Sequence, residues 1–348
     1  MLLAPALSLF FGGLDTRRYW FALTAAGVGT IALAGTSWLI YRADPLVAAF
    51  QAIVAGAAVI AVLSIGLRAG RPRAYLVFAL VWVVVVLVPV GHALFNIERG
   101  FLAARFGTLD FAGAGVLAVC AGTAALSLAM VDREPGTGID SPPTRPLWLL
   151  VLSGLLGGAG LVALALGSEL VFDATSSLIL SNMVWAMGAG TVGWTAAQIV
   201  NVHRPTVAGY AAGVLAGGVA ALAGAPWLST ASSIVLGVAA GIVGHVSAVA
   251  ARRLGAGRWA TALGVLLVPG SLGILLLGMV ARGSGLIFSG TITLLSSQIV
   301  GLAITLAYSF AASALVALVV HRTIGLNPRA LSGLAAPGGN AVDGTERQ

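Results

Sequence analysis

An all-α protein that crosses a lipid bilayer many times is the fold class this 348-residue sequence predicts, on three observations. Hydrophobic residues make up 59% of the chain and charged residues 8%, where soluble domains carry about a quarter charged. Mean hydropathy is +1.03. The apolar residues fall into eleven segments joined mostly by short loops, and about 20 apolar residues let a helix cross the hydrocarbon core.

The first segment, "MLLAPALSLFFGGL" at 1–14, is too short to span alone and is expected as a half-helix or a shortened first span. Ten longer segments follow, at 19–41, 46–67, 74–96, 109–131, 147–168, 175–200, 205–224, 230–251, 259–281 and 289–321. A Pro/Gly-rich stretch, "VDREPGTGIDSPPTRP" at 131–146, reads as a linker between two halves. From Asn327 the chain turns polar and glycine-rich, so 1–326 is read as one transmembrane domain and 327–348 as a flexible tail.

Glycine is abundant, 47 residues, and much of it lies inside the apolar segments. Gly209, Gly213 and Gly217 recur at i, i+4, i+8 on one helix face, and Gly237 and Gly241 repeat the spacing. Such faces let backbones approach closely in lipid, where burial alone gives little drive to associate. These glycines are expected to pack helices rather than bind a ligand.

Every one of the 18 basic residues is arginine. If the first segment starts outside, fourteen fall in inside loops and the tail, and only Arg42, Arg99, Arg105 and Arg282 fall outside. That asymmetry predicts an odd number of crossings and a cytoplasmic C-terminus. It also accounts for the net charge of +7 without a nucleic-acid partner. The lone Cys120 permits no intramolecular disulfide, and four scattered histidines predict no metal site. No nucleophile–base, metal-ligand or phosphate-loop constellation is present, so neither an enzyme nor a cofactor is expected. The N-terminus lacks a basic region and an A-x-A site, so no cleavable signal peptide is expected.

A series of motifs then runs in order along the chain: "APALSLFFGGL" at 4–14, "AAFQAIVAG" at 48–56, and "AYLVFALVWVVVVLVPVGHALF" at 74–95 with Trp82, Pro89 and His92. "LDFAGAGVLAVCAG" at 109–122, "GAPWL" after the eighth segment and "AYSFAASALVALVVHRTIGL" at 307–326 continue it. In this order they resemble the ammonium transporter family, Amt with its Rh relatives, over nearly the whole chain. The resemblance implies two inverted five-helix repeats, here about 1–131 and 147–281, and a long last helix at about 289–321. It further implies a narrow pore in each subunit of a homotrimer in the cell membrane. The linker falls where inverted repeats would join.

The same resemblance assigns candidate residues. Asp110 matches an aspartate that orders backbone N–H groups at the outer end of the fifth helix, where a helix N-terminus favours an acid. Eight residues on, and again in the tenth helix, the family carries a histidine; here those positions are Ala118 and Leu266, and an acidic residue five before the second is Thr261. The family's outer ammonium cage uses ring faces. Phe95 retains an aromatic there, Phe50 is a further vestibule candidate, Val54 replaces a phenylalanine, Ser168 keeps a serine, and Leu164 replaces a gate phenylalanine. The expected corridor is lined by Val54, Leu164, Ala118 and Leu266, with nothing titratable. Moving an ion through such a path costs many kcal/mol.

None of the histidines is expected to replace the missing pair. His92 is read as holding a neighbouring helix, His203 as solvated and His321 as interfacial; His245, within the ninth segment, is read as packed, with a functional role open. Glu169 and Asp173 read as a solvated loop or as an acidic mouth that concentrates cations. The tail lacks the acid-rich stretch through which the family meets a cytosolic nitrogen-signalling regulator, so that partner is not expected. Two readings remain: a transport protein passing ammonia or another small neutral molecule, or a non-conducting member acting as a sensor or accessory membrane subunit.

Overall fold

The computed structural model describes residues 2–12, 27, 45–67, 71–131 and 146–326, mostly helices joined by turns, bends and short irregular stretches. The second segment apart from Gly27, the 132–145 part of the linker and the 327–348 tail lie outside the described residues. The first segment is helical over Leu3–Leu7 and continues as a π-helical turn through Ser8–Gly12. Leu3 packs on Gly160 and Ala6 on Gly157, so this short piece lies along the sixth segment.

Among the described residues seven helices are long and apolar enough to cross a membrane: Pro45–Gly66, Pro72–Phe95, Ala114–Val131, Leu147–Ser168, Thr230–Arg253, Gly257–Val280 and Thr293–Thr323. The 22 residues of the third segment alone extend about 33 Å. The seventh segment, Ala174–Val202, is longer at 29 residues but is diluted by Thr175, Ser176, Ser177, Ser181 and Asn182. The eighth, Val207–Ala221, stops at 15 residues, short of the 205–224 expected. The chain turns there through Ala225–Trp227 with Pro226 inside the turn. Asn182, fully buried, donates from Nδ2 to the carbonyls of Ala225 and Leu228 at 2.8 Å each, so the seventh helix holds that turn in place.

Two prolines mark local departures from α geometry. Pro89 cannot donate an N–H, and the turn before it, Val83–Leu87, is π-helical. The Val85 carbonyl accepts instead from the Tyr308 hydroxyl of the eleventh segment at 2.7 Å. Pro269 stands in the same relation to a second π-helical stretch, Leu263–Leu267, in the tenth segment.

The glycine faces do what their spacing predicts. A Cβ on Gly217 would collide with the Ala186 carbonyl, and one on Gly213 would sit 2.6 Å from the Thr191 Cα, so the eighth helix rests on the seventh backbone to backbone. From the other side Gly237 meets the carbonyl of Ala186 and Gly241 that of Gly190, which packs the ninth helix equally close. Only residues without side chains allow this approach.

The eleventh segment, 31 residues and about 46 Å long, braces the fourth and fifth through a row of polar contacts on its buried face. Gln298 bonds the Leu109 backbone, Ser309 accepts from Thr123 Oγ1 at 3.0 Å, and Ser313 accepts from the Trp82 indole at 2.9 Å. At the far end Arg71 donates to the Ile324 carbonyl at 2.9 Å, covering an acceptor the helix end leaves open.

Candidate corridor between the fifth and tenth segments

The fifth segment starts from a pinned loop. Gln298 donates to the Leu109 carbonyl and accepts the Leu109 N–H, both at 2.9 Å. Beyond Asp110, the N–H groups of Phe111 and Ala112 bond the carbonyls of Ala223 and Leu222. Gly113 then turns the chain with φ +88°, a left-handed conformation that a side chain would strain. Asp110, buried, accepts the Gly115 N–H on Oδ2 at 2.9 Å, one of the open donors of the helix start. Its Oδ1 is buried with no hydrogen-bond partner among the described residues.

Phe50, Val54 and Phe95 come together against this turn. The Phe50 and Phe95 rings meet edge to face at 5.6 Å, and Gly113 faces both Val54 and Phe95, at 2.8 and 3.2 Å from where its Cβ would stand. Ser168 directs its hydroxyl to the Ala165 carbonyl of its own helix at 2.7 Å, and Leu164, one turn before it, is buried in the core.

Ala114–Val119 and Leu263–Leu267, both π-helical, touch where the expected corridor would run. Ala118 and Leu266, the two positions that the resemblance matched to histidines, sit in these stretches and are buried. Gly270 presses on Ala118: an added Cβ would lie 2.9 Å from the Ala118 Cβ. Gly122 is packed against the backbone and Cβ of Leu267. The two segments pack directly at these positions, which carry only glycine and aliphatic side chains. His245 is buried in the ninth segment with its ring edge to face on Trp194 of the seventh, at 5.5 Å. Among the described residues no group of three or more His, Cys, Asp or Glu could hold a metal ion.

Glu169 and Asp173 belong to a helix cap. Asp173 Oδ1 accepts the Thr175 N–H at 2.6 Å, its own N–H donates to Ser176 Oγ, and that hydroxyl donates to Glu169 Oε2 at 2.6 Å. The Thr175 donors, backbone first, hold the Asp173 carboxyl below its ordinary value. A carboxyl depressed in the folded state stabilises it above the unfolded pKa, and that contribution disappears as pH falls through the folded pKa. Asp173→Ala should therefore melt earlier than the unsubstituted protein at neutral pH, with the gap closing on acidification; parallel melts at pH 7 and pH 3 check it.

Sequence reasoning missed Gln298, Asn182 and Trp259. The first two were visible as lone amides in apolar helices, a pattern that marks buried polar work. Nothing in the sequence set Trp259 apart from the other seven tryptophans.

Several apolar helices of membrane length define a polytopic α-helical membrane protein. A model of the Ammonium Transporter Family matches residues 16–330, and the chain belongs to that family. It is 25% identical over 350 residues to an ammonium transporter of Bacillus subtilis (strain 168), covering 89% of this chain and 86% of that protein. Its fold is that of the crystal structure of Candida albicans Mep2, with a TM-score of 0.84 at 16% identity over 94% of this chain and 83% of that one. A Sensor Amt Protein matches with a TM-score of 0.74, also at 16% identity, over 93% of this chain and 91% of that one.

Proposed function

We propose that this member of the family passes ammonia, or another small neutral molecule, through the seam between its fifth and tenth segments without moving charge. The observation that carries this is the pair Ala118 and Leu266: buried, aliphatic, and set in the two π-helical stretches that meet at mid-bundle. A cation there would lose its hydration with nothing to replace it. A neutral amine loses far less. Val54 and Leu164 extend the same apolar lining, and Phe50, Phe95, Asp110 and Ser168 form the proposed outer vestibule. The topology proposed with it is a homotrimer in the cell membrane, each subunit built from two inverted repeats at about 1–131 and 147–281 and a last helix at about 289–321. The arginine-rich end that carries Arg71, Arg258 and Arg322 then faces the cytoplasm.

In proteoliposomes, stopped-flow ammonia permeability should exceed that of empty liposomes while an ammonium pulse evokes no current. A current would show that charge crosses and would sink the neutral-carrier reading. A second reading, a non-conducting sensor or accessory subunit, is favoured by how tightly Gly270 closes on Ala118. Permeability equal to that of empty liposomes would select it.

A further inference from the structure

Trp259 opens the tenth segment, in the turn Gly257–Trp259, at the arginine-rich end of the same seam. It precedes Leu266 by seven residues, about 10 Å along a helix. This turn and the Leu263–Leu267 stretch both pack on Cys120–Val131 of the fifth segment, so the indole stands at the end of the seam whose middle holds Ala118 and Leu266. It is 2% exposed.

Two neighbours fix it there. The Tyr75 ring lies 6.2 Å away at a 30° tilt and is itself packed on Gly66. The Arg258 guanidinium stands 5.5 Å from the Trp259 ring and donates to the Tyr75 hydroxyl at 3.0 Å. Trp259 Nε1 has no hydrogen-bond partner among the described residues. A buried N–H without an acceptor is destabilising, and a phenylalanine would supply much of the same bulk without one. The unpaired donor therefore suits a visiting acceptor. The adjacent guanidinium disfavours a cation there, and ammonium has no lone pair to offer the N–H.

We propose that Trp259 closes the cytosolic end of the corridor and that its indole N–H is the docking point for a small neutral molecule with a lone pair, ammonia or water. The docking half rests on the transport reading above; the closure half does not.

The test uses the full chain with its one cysteine removed by Cys120→Ala and a thiol introduced one turn inside the indole by Ala262→Cys. A small methanethiosulfonate reagent added from the arginine-rich side should leave that thiol unmodified with Trp259 or Trp259→Phe and modify it with Trp259→Ala. In proteoliposomes Trp259→Phe should lower ammonia flux, or osmotic water flux, by about fivefold, the size of one neutral hydrogen bond; which flux falls identifies the occupant. Modification with Trp259 in place overturns the closure. So does its absence in a Trp259→Ala protein that elutes and melts like the unsubstituted chain. Unchanged ammonia and water fluxes in Trp259→Phe overturn the docking. Labelling that depends on Trp259 in a chain with no flux above empty liposomes retires the transport reading and keeps the closure.

Discussion

Histidine placed at both 118 and 266 should give this protein an ammonium-evoked current about tenfold or more above that of the unsubstituted chain, a barrier change of about 1.4 kcal/mol or more. Both positions lie in the π-helical stretches that meet at the centre of the seam. Two imidazoles there would supply lone pairs to a cation shedding water and a path for its proton. The single variants should do much less, because residues that act as a unit are strongly non-additive. Ala118→His also overpacks the contact with Gly270, at a cost of about 1–3 kcal/mol. Leu266→His replaces bulk with bulk and should be milder. A double variant that melts cooperatively, yet stays electrically silent, would show that the conducting path does not run between these residues.

Much of the bundle was legible because lipid imposes a simple code. Apolar length alone located most of the helices, since every backbone group in hydrocarbon must be bonded internally. The glycine spacings located the close contacts of the seventh, eighth and ninth segments for the same reason they exist: only a glycine, as at 217, 237 and 241, can admit a facing carbonyl. Asp110 was legible as a charge beside a helix start.

What escaped were features that depend on phase or on a distant partner. The π-helical turns before Pro89 and Pro269 shift the helix phase, and no periodicity count reveals them. The eighth segment ended early because Pro226 and its turn are fastened by Asn182, 43 residues away. Glu169 and Asp173 read as a solvated loop, or else as an acidic mouth, whereas Ser176 ties them into one cap. Trp259 had the plainest sequence context of all; its setting is made by Tyr75, 184 positions earlier in the chain.

Gln298→Ala should be the most destabilising single truncation on the eleventh segment, costing about 2–4 kcal/mol and lowering the melting temperature in detergent by several degrees. The amide is fully buried and makes both bonds to one residue, taking the Leu109 N–H and donating to the Leu109 carbonyl. Truncation would strand both backbone groups in a part-buried site, with no water of the right geometry guaranteed. It would also unfasten the loop immediately before Asp110, so the Gly115 contact at the start of the fifth segment should loosen with it. Gln298→Glu keeps an acceptor for the Leu109 N–H but turns a carboxylate toward the Leu109 carbonyl, and is expected between the two. Ser296→Ala, on the exposed face of the same helix, removes only a bond to Thr293 one turn back and should stay within about 0.5 kcal/mol of the unsubstituted chain. Equal melting of the Gln298 and Ser296 variants would mean that the eleventh helix is held by its apolar contacts alone, and that the polar row along it contributes nothing measurable.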